Sequence, residues 1–154
     1  RPGVGMVIFN SRGLILLAER IDNPGSWQLP QGGIEMGEDP EVAVFREMEE
    51  EIGTRNAKII DVLQEWLYYD FPAHNAHKLF DGKYRGQRHK WIALRFLGDD
   101  NEIRLDAYED PEFSRWQWVP VERVLECVVH FKRGSYERII QVFAKHAMTD
   151  KSDS

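Results

Sequence analysis

Two runs of β-branched and aliphatic residues open the chain, VGMVIFN over 4–10 and LILLAER over 14–20, and the polar SRG between them predicts a β-hairpin. The next stretch, NPGSWQLPQGG over 23–33, has neither a helical nor a strand period and reads as turns. Then the pattern changes: Val42, Phe45, Met48 and Ile52 recur at helical spacing. Ahead of them Asp39 is placed to cap, Pro40 to take the first helical position, and Glu41 to meet the positive end of the helix dipole. Gly53 supplies the stop, so an amphipathic helix is predicted between Pro40 and Gly53.

Downstream, AKIIDVLQEWLYYDF over 57–71 reads mostly as strand, and so does HKWIALRFLG over 89–98, with a long polar loop between them. FSRWQWVPV over 113–121 is a further strand that ends at proline. A final helix is predicted within GSYERIIQVFAKHA, 134–147, with Ile139, Ile140, Phe143 and Ala147 as its apolar stripe. The polar end of the chain predicts a disordered tail over 148–154, leaving one domain over 1–147. There is no internal repeat and no linker. The expected architecture is α/β, one domain built as a mixed sheet with helices on its faces.

Composition narrows the chemistry. The 154 residues are 42% hydrophobic and 30% charged, which suits a single domain able to bury its own core. A lone cysteine, Cys127, excludes an intramolecular disulfide and a zinc cluster, so a cytoplasmic location is expected. No apolar run approaches the ~20 residues of a membrane span, and no signal peptide or membrane association is expected. The net charge of −6 is the wrong sign for coating nucleic acid by charge alone. Positive charge is nevertheless gathered in KYRGQRHK (83–90) and FKRGSYER (131–138). Such patches beside an acidic cluster suit a site that holds divalent cations next to phosphates.

The acidic cluster is REMEEE, 46–51, in the last turn and a half of the predicted helix. Like charges one turn apart destabilise a helix, so the run needs a reason. At roughly 100° per residue, Glu47, Glu50 and Glu51 fall within an arc of about 100°, while Glu49 points elsewhere. Arg46 stands one turn before Glu50, where a pair of opposite charges forms. Three carboxylates thus converge on one side and face back toward the glycine-rich loop.

Read in full, the segment from Gly32 runs G-x5-E-x7-R-E-U-x-E-E-x-G-U with U apolar, through Glu38 and Arg46 to Gly53. This resembles the signature of the Nudix hydrolases at every fixed position, and the one departure is Thr54 at the last apolar place. The segments RPGVG, WQLPQGG, GQRHKW, PEF, W-x-W-V and FKR follow in an order similar to the branch that contains RNA pyrophosphohydrolases and asymmetrical diadenosine tetraphosphate hydrolases. The resemblance implies a Nudix-type α/β/α sandwich and hydrolysis of a pyrophosphate linkage, in an RNA 5′ end, a dinucleoside polyphosphate, or both. House-cleaning hydrolysis of nucleoside triphosphates or ADP-ribose, and a non-catalytic nucleotide- or RNA-binding module, are the competing readings.

The resemblance also implies roles. Glu47, Glu50 and Glu51 would bind Mg²⁺ or Mn²⁺, two or more ions once substrate is present, and hard carboxylate oxygens are the ligands those ions take. Glu112 of PEF would serve as ligand or base. Glu38 would add a ligand through water, a Gly32 carbonyl would complete the shell, and Arg46 would orient a glutamate. Arg1, Arg20, Ser26, Gln87, Lys90 and Lys132 would contact phosphates, with Phe131 stacked on a base. A nucleotide or RNA 5′ end is the expected partner, and no obligate protein partner is inferred.

Overall fold

The computed structural model describes residues 2–70, 86–128 and 133–148. Two long strands form its axis. β1 (Pro2–Phe9) and β7 (Gly86–Phe96) run parallel in continuous register from Pro2 opposite Arg88 to Phe9 opposite Arg95. The other strand pairs among the described residues are antiparallel. β2 (Ile15–Arg20) returns from β1 through the expected hairpin, whose turn is closed by Asn10 Oδ1 accepting from the amides of Arg12 and Leu14. β8 (Phe113–Val119) lies along the outer edge of β2, while β5 (Ala57–Val62) and β6 (Leu67–Asp70) share the outer edge of β7. Among the described residues this makes one eight-stranded mixed sheet.

Helices cover both faces, because β1, β2 and β7 are apolar on both sides. α1 (Pro40–Ile52) packs Ala43, Val44, Met48 and Ile52 against Val4, Met6, Ile8, Ile92 and Leu94. On the opposite face, α3 (Arg133–Phe143) packs Tyr136, Ile139 and Phe143 against Val7, Leu17, Leu29 and Trp91. A 3₁₀ turn over Val121–Arg123 and the short α2 (Val124–Cys127) close that side; neither was foreseen in the sequence. No helix among the described residues is long and apolar enough to cross a membrane.

The helix ends follow the predicted chemistry. Asp39 Oδ1 accepts from the Glu41 amide at 2.8 Å, Pro40 opens α1, and Gly53 closes it at φ 80°. Three expectations are corrected. Residues 23–33 are not all turn: they hold β3 (Trp27–Gln28) on β2 and β4 (Gln31–Gly33) on β1, strands too short to show a period. Val42 is 61% exposed, and the core side of α1 passes through Ala43 and Val44 instead. The 57–71 run is broken at Leu63, whose amide bonds the Trp91 carbonyl at 2.9 Å, so it gives two strands where one was expected. The tail from 149 lies outside the described residues.

Gly5 shows how closely the axis is packed. A Cβ there would fall 2.3 Å from the Trp91 ring, which is held edge-on by Tyr136 at 5.8 Å. Gly5→Ala should therefore lower stability by about 1–3 kcal/mol, the usual cost of overpacking. Urea unfolding checks this, and an unchanged midpoint would mean that the indole moves freely.

Candidate active site

Arg46 is the centre of the acidic cluster. Its Nε and Nη2 each donate to an oxygen of Glu38 at 2.8 Å, and Nη2 also reaches the Gly33 carbonyl at 2.8 Å. Nη1 donates to Glu47 Oε1 at 2.8 Å and, more weakly, to Glu50 Oε1 at 3.4 Å. One planar guanidinium thus ties the loop after β4 to the acidic side of α1, a geometry an ammonium does not reproduce. Arg46 and the Glu35 amide hold the Glu38 carboxyl down at about 2, so Glu38 is a permanently ionised partner. Both Glu38 oxygens accept from Arg46, so Glu38 braces the site from the loop side.

Glu47 and Glu51 are buried, whereas the Glu50 side chain is 46% exposed. Glu47 fits under the loop because residue 32 has no side chain: a Cβ on Gly32 would lie 2.0 Å from Glu47 Oε2. Burial pushes the Glu47 pKa up, opposed by its bond to Arg46. Glu51 is pushed up to about 8, first by burial and then by the charges of Glu112 and Glu47 and a carboxyl–carboxyl hydrogen bond to Glu112. Glu49 stands apart, paired with Arg55 at 2.6 Å. The arc expected from helix geometry is therefore present, with Glu47 and Glu51 deep and Glu50 at the rim.

A second ion pair positions Glu112. The buried Glu19 carboxylate receives Arg115 Nε and Nη2 at 2.7 and 2.9 Å and the Gly25 amide at 2.9 Å. Arg115 foremost, then Gly25, lowers its pKa to about 2. Between Glu19 and Arg20 the β2–β8 register shifts, since Glu19 faces Arg115 but Arg20 faces Phe113. Such bulges re-aim the chain beside active sites. Here the bulge sets Glu112, whose carbonyl accepts from the Ile21 amide at 2.9 Å, over Glu51. Sequence reasoning missed Glu19 and Arg115; the one available signal was a carboxylate in an otherwise apolar strand.

The phosphate-contact expectations divide. Arg20 stands within the field of Glu112 and Glu51, but its guanidinium is engaged with Asp22 at 2.8 and 2.9 Å. Ser26 is buried, and its carbonyl closes the preceding turn by accepting from the Arg20 amide. The Lys90 ammonium donates to the Gln64 carbonyl and lies 5.7 Å from the centre of the Trp66 ring, so it is not gathered with the carboxylates. Arg1, Phe131 and Lys132 lie outside the described residues, as does the side chain of Gln87.

Among the described residues no three His, Cys, Asp or Glu side chains already form a ligand cluster. Arg46 holds oxygens of Glu47 and Glu50, and Glu51 is bonded to Glu112, so binding a metal requires these carboxylates to turn. Their chemistry nonetheless fits a hard divalent cation. They are oxygen donors of one sign, two of them buried, with Glu51 retaining a proton for want of opposite charge.

An α/β/α sandwich with this carboxylate helix beneath a glycine-rich strand defines the class of a Nudix hydrolase. Residues 1–139 match the model of the NUDIX domain, and the chain belongs to that family. It is 48% identical over 148 residues to an RNA pyrophosphohydrolase of Rhodospirillum rubrum, covering 96% of this chain and 89% of that protein. Nudix hydrolase 26, chloroplastic, of Arabidopsis thaliana is 43% identical over 95% of this chain and 70% of that protein. The fold is similar to that of a C. elegans Ap4A hydrolase binary complex, with TM-score 0.66, 23% identity, and coverage of 94% of this chain and 97% of that one.

The raised pKa of Glu51 has a sign that can be tested without substrate. The folded chain holds this proton more tightly than the unfolded one, so the stabilisation is complete below the ordinary value of 4.5 and is lost as pH rises toward about 8. Glu38 acts oppositely, and only in acid, because its pKa is lowered from 4.5 to about 2. In chelator, the melting temperature should therefore fall between about pH 5 and 8, and Glu51→Gln should flatten that slope. A slope unchanged in the variant would remove Glu51 as its source.

Proposed function

We propose that this chain hydrolyses the triphosphate at the 5′ end of RNA, using one water to release pyrophosphate and leave a 5′-monophosphate. The observation that carries the reading is the convergence of Glu47, Glu50, Glu51 and Glu112 around the Arg46 brace. Relatives sharing 41–48% identity over more than nine-tenths of the chain and named as RNA pyrophosphohydrolases support RNA as the substrate.

Glu47, Glu50, Glu51 and Glu112, with the Gly32 carbonyl, would hold magnesium or manganese, which when bound neutralises phosphoryl oxygens and acidifies water. The protein's own groups divide the remaining work. Glu112 is exposed and is not held by Arg46, so its carboxylate serves either as a further metal ligand or as the base that accepts the proton of the attacking water. Arg46 turns Glu47 by direct donation and favours its ionised form against burial, without touching substrate. Arg20, beside Glu51 and Glu112, exchanges Asp22 for a phosphate oxygen. Arg1, Ser26, Gln87, Lys90 and Lys132 complete the phosphate contacts, and the Phe131 ring stacks on a base. RNA as substrate places the activity in the cytoplasm.

Pyrophosphate release from 5′-triphosphorylated RNA with Mg²⁺, measured beside cleavage of diadenosine tetraphosphate, tests the assignment. A chain that cleaves only the dinucleotide would belong to the second substrate class. Glu50→Gln and Glu51→Gln should each lower turnover by at least about 10²-fold, the cost of losing one electrostatic stabiliser. Glu49→Gln should keep the wild-type rate, because Glu49 faces Arg55 outside the cluster. Normal turnover in both Glu50→Gln and Glu51→Gln would refute the site.

A further inference from the structure

On the α1 face of the sheet, across the 34–38 loop from the carboxylates, lies a group of residues of which the proposed chemistry uses only Lys90. The β6–β7 register sets Tyr68 directly opposite Arg88. Trp66, just before β6, carries the Arg88 guanidinium over its ring at 4.6 Å, with the Lys90 ammonium at 5.7 Å. Tyr68 is 67% exposed and Arg88 is exposed, so neither is there to fill the core. The row borders a cavity of about 630 Å³ walled by Pro2, Ile34, Pro40, Trp66 and Arg88, with the fully exposed Met36 at its rim.

Aromatic rings alternating with cations on an exposed sheet form a surface on which unpaired bases stack while phosphates meet positive charge. A guanidinium lying on an indole extends the platform, because bases stack on guanidinium planes as well as on rings. Acidic residues nearby do not cancel this charge. Glu38, in the cavity wall, is bonded to Arg46, and Glu65 is bonded to Arg138 at 2.7 Å. Glu35 is also in the wall. Position supplies the last argument. Arg46 bonds Glu38 in the cavity wall and Glu47 in the acidic site, so a single side chain links the two.

We infer that Trp66, Tyr68 and Arg88 bind the nucleotides of single-stranded RNA that follow the triphosphorylated end, so that the strand leaves the carboxylates across the 34–38 loop onto this row. The inference rests on RNA being the substrate. It makes substrate length the variable that reads the row: an octanucleotide can cover more of it than a dinucleotide bearing the same triphosphate.

The test compares Trp66→Ala, Tyr68→Ala and Arg88→Gln with wild type on 5′-triphosphorylated RNAs of two and eight nucleotides. For the octamer, Trp66→Ala should raise KM about ten-fold, consistent with the loss of one base stack, and Arg88→Gln should reduce the salt slope of binding by about 0.7. KM for the dinucleotide should move less than KM for the octamer. Because Trp66 is partly buried, the exposed Tyr68 and Arg88 variants, with melting curves, keep a folding defect from passing as the expected result. Equal changes on both lengths, or none on the octamer, overturn the inference, the latter leaving the row to a protein partner. Binding of a 5′-hydroxyl octamer in chelator, read by fluorescence anisotropy, needs no catalysis. If wild type binds it and the variants do not, the row stands even where no pyrophosphate is released; if all bind it equally, the row fails while the proposed activity can still stand.

Discussion

The fold around the site depends on repulsion among carboxylates and on the Arg46 guanidinium that holds Glu38, Glu47 and Glu50. Glu47 and Glu51 are buried in neighbouring turns of one helix, with Glu112 brought in from the bend before β8 and Glu50 at the rim. Burial alone favours their neutral forms, and each adds to the other's difficulty. Arg46 opposes this for Glu47 by direct donation, without overcoming burial, and its remaining donors go to Glu38 and the Gly33 carbonyl. The helix is thereby latched to the strand whose missing side chain makes room for Glu47. Removing the guanidinium would free the loop and leave a buried charge without a partner, so its two contributions are inseparable.

A second latch is built to the same plan at the opposite side of the site. Glu19, buried in β2, joins Arg115 of β8 to the Gly25 amide of the turn that carries Arg20 and Ser26. Paired main-chain strands would not position Glu112 by themselves, because the register between them breaks at that point. The ion pair holds what the ladder releases. Strain of this kind is tolerated because β1, β2 and β7 are buried on both faces and tie the sheet independently of the site.

What could be read from the chain followed from the range of the forces involved. Asp39, Pro40 and Gly53 act within a turn of themselves, so the helix and its ends were legible. Glu47, Glu50 and Glu51 were legible for the same reason: their spacing on one helix sets their common side. Helical phase was legible only roughly. Val42 and Ala43 differ by one position, and which of them faces the sheet is decided by how α1 lies on β1 and β4. β3 and β4 exist because β1 and β2 offer them edges, which no local pattern records. The partnership of Glu19 with Arg115 spans nearly a hundred residues and became visible only when the strands paired.

These separations give the site two kinds of charge. Glu38 and Glu19, each held at about 2 by a guanidinium, remain ionised over the whole range in which RNA and its cations coexist. Their bonds define where the loops stand, and they do not change when charge arrives. Glu51, held at about 8, does the opposite: near neutrality it keeps a proton shared toward Glu112 that a bound cation would displace. A frame of fixed charge therefore encloses a centre of variable charge. Because Arg46 bonds members of both, the centre can lose its proton and turn its carboxylates toward a cation while the 34–38 loop stays anchored through Glu38. An RNA crossing that loop would meet the same surface before and after the cation binds.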